Sequence, residues 1–160
     1  MAGALHVYTS AAVNYLPKVR ILCRSIRRHH PEAVIHLALA DRRPDWLVTE
    51  REPFDDVLDV SQLGIPDWHR WSFTHNIVEL ATAIKPFALQ RLLELPGCET
   101  VVYFDPDIVL FSRVDDILDT LAHSSDSRLH ILDSVNDDGA GSAALHCAFR
   151  DAMNMRVIPV

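Results

Sequence analysis

AVIHLALAD, residues 33–41, is nine residues long, and its only polar positions are His36 and the closing Asp41. A run this short and this apolar lacks the alternation of a strand with one wet face. It reads as a strand buried on both sides in a parallel sheet. The segments before it supply the rest of a unit. ALHVYT (4–9) is a short β-prone run, and NYLPKVRILCRSIRRHH (14–30) places Leu16, Val19, Leu22, Cys23 and Ile26 at helical spacing. Pro17 suits the first turn of that helix and Pro31 ends it. Strand, helix and strand joined by short connections make a βαβ unit.

The same alternation continues. FDDVLDV (54–60) reads as a third strand, and SQLGIPDWHRWSFTHN (61–76) as a long loop. Loops of that length inside a domain are often functional; Trp68 and Trp71 either serve that role or pack the loop down. IVELATAI (77–84) is helical, and Pro86 predicts a break, with a second helix over PFALQRLLEL (86–95) that Pro96-Gly97 stops. TVVYF (100–104) is strand four, SRVDDILDTLA (112–122) a turn plus short helix, and SRLHILD (127–133) strand five. The sequence predicts a doubly wound, mostly parallel α/β sheet. Beyond Asp133 lie a polar stretch and a weak helix. The domain is therefore placed at 1–133, with 134–160 as a weakly defined tail.

Composition limits the function classes. The chain has 160 residues, 49% hydrophobic and 23% charged, with a net charge of −7. An acidic chain lacks the basic surface that nucleic acid requires, and Lys18, Arg20, Arg24, Arg27 and Arg28 read as the wet face of one helix. Cys23, Cys98 and Cys147 are odd in number, without CxxC spacing, and read as reduced thiols. No apolar stretch approaches the ~20 residues of a membrane span. No signal peptide is visible, so the expected location is cytoplasmic.

Chemistry concentrates at the strand ends, where doubly wound sheets bind ligands. Thr9, Asp41 and Asp105 all fall there. In VVYFDPDIVLF (101–111), Asp105 and Asp107 are separated by Pro106. Residues i and i+2 of extended backbone point the same way, and Pro106 holds Asp105 extended. Two carboxylates so close repel unless one is protonated or a cation bridges them. Hard oxygen donors suit Mg²⁺ or Mn²⁺ carrying a diphosphate; a turn or capping role is the structural alternative. Asp41 is equally well a turn residue or a partner for a ribose hydroxyl or base edge.

With these residues the chain resembles the GT-A-fold nucleotide-sugar glycosyltransferases, in particular the glycogenin-like branch. Three segments carry the likeness in order: VYTSAAVNYLPKVRILCRSIRRHHPE (7–32), ELATAIKPFALQRLL (79–93) and VVYFDPDIVLFSRVDDIL (101–118). The resemblance covers roughly residues 4–133 and implies a Rossmann-like nucleotide-sugar-binding fold. It implies that Thr9 and Tyr15, with Ser10 and Asn14 beside them, line the nucleotide pocket, Tyr15 stacking on a base. Lys85 would approach the nucleotide-sugar, while Asp105 and Asp107 bind Mn²⁺ or Mg²⁺ and, through it, the diphosphate. The implied activity is sugar transfer from a nucleoside-diphosphate sugar to an unknown acceptor; no catalytic residue is assigned.

The family's acceptor-binding half, with its further metal ligand, has no counterpart after the Asp pair. His146 in ALHCAF (144–149) lacks the surrounding residues of that ligand. The chain is thus expected to be C-terminally truncated relative to the family, the donor-binding portion, self-associating or working with a partner chain. A non-catalytic nucleotide-sugar-binding module or inactive fragment is the alternative function. A haloacid-dehalogenase-type phosphohydrolase, with Asp105 as nucleophile, is a third.

Overall fold

A computed structural model describes residues 5–98, 100–116 and 118–119, together with the backbone of strands at 130–132 and 145–149. The strands are β1 (Leu5–Ala11), β2 (Val34–Leu39), β3 (Asp56–Asp59), β4 (Thr100–Phe104), β5 (His130–Leu132) and β6 (Leu145–Phe149); the helices are α1 (Leu16–His29), α2 (Trp68–Ser72), α3 (Ile77–Ala83) and α4 (Lys85–Leu93). One sheet has the order β3-β2-β1-β4-β6-β5. β3, β2, β1 and β4 are mutually parallel, whereas β6 runs antiparallel to both β4 and β5.

The buried runs divide by parity between the two sheet faces. Val7 and Ala11 of β1, Ile35, Leu37 and Leu39 of β2, and Val102 and Phe104 of β4 form one core with the Leu16, Val19, Leu22, Cys23 and Ile26 stripe of α1. Tyr8, Ala38, Val101 and Tyr103 form the other with Leu80 of α3, Ile84, and Ala88 and Leu92 of α4. Helices on both faces make the sheet doubly wound, as the apolar runs predict. Burial in the α1 core pushes the Cys23 thiol up to about 12, so it stays protonated.

The predicted break at Pro86 is present. α3 ends at Ala83 and α4 restarts at Lys85, with Pro86 in its first turn, where no amide donor is required. Gly97 closes the α4–β4 turn at φ 78°, a conformation that suits glycine. Three expectations are corrected. The 61–76 loop contains helix α2, and Trp71 packs on Phe87 and His75 with ring centroids 5.9 and 4.5 Å away, pinning the segment to α4. The basic face of α1 is not simply wet: Arg20 grips Glu52 through two hydrogen bonds of 2.7 and 2.6 Å, and Arg27 pairs with Asp55. Residues 145–149, in the segment read as a weak helix, form β6; a five-residue apolar run is ambiguous by periodicity, and the open edge of β4 supplies the partner that decides it. In the sheet β6 lies beside β4, and β5 lies beyond β6. Cys147 falls in β6, and its side chain lies outside the described residues.

Away from the cleft described below, His6 and His36 stack at 5.3 Å with Nδ1 and Nε2 3.0 Å apart, and His36 reaches Asp56 at 3.4 Å. Burial, then the His36 ring, lowers the His6 pKa below its ordinary value of 6.5. The unfolded chain then binds more protons than the folded one as pH drops through 6.5. This contribution to stability is complete above 6.5 and is lost on acidification through the lower folded value. The urea midpoint should fall between pH 7.5 and 5.5, and a His6→Leu variant should show a flatter fall.

Candidate functional site

The strand order reverses at β1. From β1 the chain moves outward to β2 and β3 on one side, and β4 returns to pair on the other. In doubly wound sheets the crevice beyond such a switch point is the usual ligand position. A cleft of about 190 Å³ lies at this point. Its walls come from the end of β1 and the segment after it (Ser10, Asn14, Tyr15), the segment after β4 (Asp105, Pro106, Asp107) and the α3–α4 side (Ile77, Val78, Lys85). The volume is below the several hundred Å³ that enclose a drug-sized ligand. A larger ligand seated here keeps part of itself outside.

The cleft thus gathers six of the eight residues singled out from sequence: Ser10, Asn14, Tyr15, Lys85, Asp105 and Asp107. Thr9 and Asp41 are not on its lining. Thr9 shares parity with Val7 and Ala11, which belong to the α1 core; it is 1% exposed, and its Oγ1 has no hydrogen-bond partner among the described residues. Strand alternation places its side chain on the face opposite Tyr8. Asp41 Oδ2 accepts a 2.6 Å hydrogen bond from the Val13 amide, tying the turn after β2 to the one after β1. That is the turn role among its two readings. Ser10 donates to the Ala81 carbonyl at 2.5 Å, clamping β1 to α3.

At the β4 end the cation beside Asp105 is a side chain. Lys85 Nζ stands 3.1 Å from Asp105 Oδ1 and 4.5 Å from the centre of the Tyr103 ring. The Tyr103 hydroxyl donates to the same Oδ1 at 2.5 Å. Burial first, then the bond to Asp105, holds the Tyr103 hydroxyl far above its usual range, so it remains a proton donor. Below it Tyr8, its register partner across β1–β4, lies 5.0 Å away and donates to the Lys85 carbonyl at 3.2 Å. Position 85 is therefore anchored through its backbone while its ammonium stays on a flexible stem. At the other wall Tyr15 is 37% exposed, with Lys18 Nζ 4.8 Å from its ring centre.

Sequence reasoning did not single out Tyr103 and Tyr8. The signal available was an aromatic two residues before Asp105, on the same strand face. Glu79 completes a capping box: Asn76 Oδ1 accepts from the Val78 and Glu79 amides, and Glu79 accepts from the Asn76 amide. The Asn-x-x-Glu pattern was visible in the sequence. Capping fixes the start of α3, which carries the Ile77–Val78 wall.

The arrangement can bind an anion through Lys85 and a cation through carboxylates. Among the described residues no three His, Cys, Asp or Glu side chains gather as a metal centre. Magnesium-type ions, however, commonly take one or two carboxylates and complete their shell with phosphate oxygens and water. Two carboxylates lining one cleft with a lysine fit that donor set.

No family model matches the sequence, and no curated protein matches it. Solved structures do. The glycosyltransferase GlyE of Streptococcus pneumoniae TIGR4 aligns with 94% of this chain and 35% of its own, at a TM-score of 0.53 and 14% identity. Its apo form aligns with 91% and 34%, at 0.52 and 15%. The fold is glycosyltransferase-like. The chain spans about a third of the length of these structures. Among the described residues no helix is long and apolar enough to cross a membrane.

Proposed function

We propose that the cleft binds a nucleoside-diphosphate sugar and that the chain is the donor-binding portion of a metal-dependent glycosyltransferase, of the GT-A type and nearest the glycogenin-like branch. The observation that carries this is the convergence of Tyr15, Asn14, Lys85, Asp105 and Asp107 on one crevice at the sheet's switch point. The GlyE likeness supports the fold on which the reading rests.

Each side chain has a task in this reading. The half-exposed Tyr15 ring offers a stacking face for a nucleobase, and Asn14 offers amide hydrogen bonds beside it. Lys85 supplies a mobile positive charge for a phosphate oxygen. Asp105 and Asp107 would hold Mn²⁺ or Mg²⁺. When bound, the ion supplies Lewis-acid stabilisation of negative charge on the diphosphate. Tyr103 fixes the Asp105 carboxylate by donating to it, and the Ile77–Val78 wall shields one side of the crevice from water. The acceptor and the stereochemical outcome are not assigned to any residue. Thr9 and Asp41 are left outside the binding set because of where their side chains go.

Calorimetric titration with UDP- and GDP-sugars, with and without Mn²⁺, tests the reading. Micromolar binding that needs Mn²⁺ and is lost in Asp107→Ala is the expected result. Absence of binding, or binding indifferent to that substitution, overturns it. A further variant checks the tyrosine: Tyr103→Phe keeps the ring and removes the donated hydrogen bond. A bond to a charged group is worth about 1.5–3 kcal/mol, so donor affinity should fall about tenfold or more, with the fold retained.

A further inference from the structure

We propose that Lys85 is the resident counter-ion of Asp105, displaced when a divalent cation binds and thereby released to the incoming diphosphate. The inference rests on the functional reading above and adds an order of events within the site. Its starting point is that one carboxylate serves two partners of opposite consequence. Asp105 Oδ1 accepts from both Lys85 Nζ and the Tyr103 hydroxyl, and Asp105 lines the cleft beside Asp107.

Three features make an exchange feasible. First, the Lys85–Asp105 pair is partly solvated, its side chains 27% and 37% exposed, and ion pairs in that setting are weak. Second, the lysine's base is fixed while its ammonium, on a long stem, meets Asp105 and the face of the Tyr103 ring. Its carbonyl accepts from Tyr8 and it follows the fully buried Ile84, so the ammonium can swing without moving α4. Third, an ammonium and a divalent ion on one carboxylate repel each other, so each weakens the other's hold on Asp105. Tyr103 is neutral and its bond to Oδ1 is compatible with either occupant, so the carboxylate keeps its aim while the cation changes. Lys85 thus opposes the metal while the cleft lacks a nucleotide and assists the diphosphate once the metal is in place. Metal and diphosphate then bind cooperatively, since each removes an obstacle to the other.

The sign of the lysine's effect on metal alone is the test. Free Mn²⁺ is followed by electron paramagnetic resonance during titration of the intact protein, without nucleotide. Lys85→Met keeps the aliphatic stem over Tyr103 and deletes the charge; it should bind Mn²⁺ on the order of fivefold more tightly than wild type. Lys85→Arg keeps the charge and should not tighten. With saturating Mn²⁺, UDP and GDP should bind Lys85→Met more weakly than wild type. If wild type binds Mn²⁺ and Lys85→Met binds it equally or more weakly, the counter-ion role is wrong while the metal reading stands. If neither protein binds Mn²⁺ alone, this inference is overturned, and if neither binds it with UDP present the metal reading fails as well. Undiminished nucleotide binding by Lys85→Met overturns the transfer of the ammonium to phosphate.

Discussion

Asp105→Ala is expected to lower Mn²⁺-dependent donor binding by on the order of a hundredfold or more. The variant removes one of the two carboxylates in the cleft, and a site that relies on one or two carboxylates has no substitute for either. It also strands two neighbours, since Lys85 and Tyr103 both meet Asp105 Oδ1. Some stability is lost as well, because a hydrogen bond to a charged group is worth about 1.5–3 kcal/mol. Asp105→Asn separates the two effects. Its amide oxygen can still accept from Tyr103, so stability should return towards wild type, but a neutral amide is a poor ligand for a hard cation. Calorimetry alongside urea denaturation on both variants checks this. An asparagine variant that binds donor like wild type would end the metal-based account of the site.

The second large effect is expected at Ile84. This residue is fully buried, lies between the end of α3 and the start of α4, and packs in the core with Tyr8, Leu80 and Ala88. Truncation to alanine leaves a cavity in a region that the sheet and two helices hold from several sides. The cost should be about 3 kcal/mol, seen as a lower urea midpoint with little change in slope. Donor binding should weaken too, because the next residue is Lys85, whose carbonyl accepts from Tyr8. By contrast Val78, 68% exposed on the cleft wall, should tolerate alanine with at most a few tenths of a kcal/mol of destabilisation.

The sheet was legible because both-face burial writes itself into composition. Residues 33–41 and 100–104 could hardly serve as anything except inner strands, and the α1 stripe matched its five buried apolar positions. Pro86 announced the α3–α4 break for a local reason, its missing donor. The Asp pair and Lys85 were legible by resemblance, and the structure brings them to one crevice. What could not be read was pairing at long range. Nothing near Tyr8 indicates a bond to a carbonyl 77 residues on, and nothing in 145–149 announces that β4 will need a neighbour. Thr9 is a different case, since it is not on the cleft lining. Alternation with Val7 and Ala11 was available to show which face it occupies, and the family likeness drew attention to the strand end instead. Asp41 stood at a strand end for a turn's reasons, which are local and common.

β3 is the outermost strand on its side of the sheet and only four residues long, with an aspartate at each end. A strand in that position offers its backbone to any passing chain, and a long apolar one would invite polymerisation into fibrils. Here brevity and two negative charges make a poor template. The protein can therefore keep a very apolar sheet interior while its exposed margin discourages neighbouring molecules from adding to it.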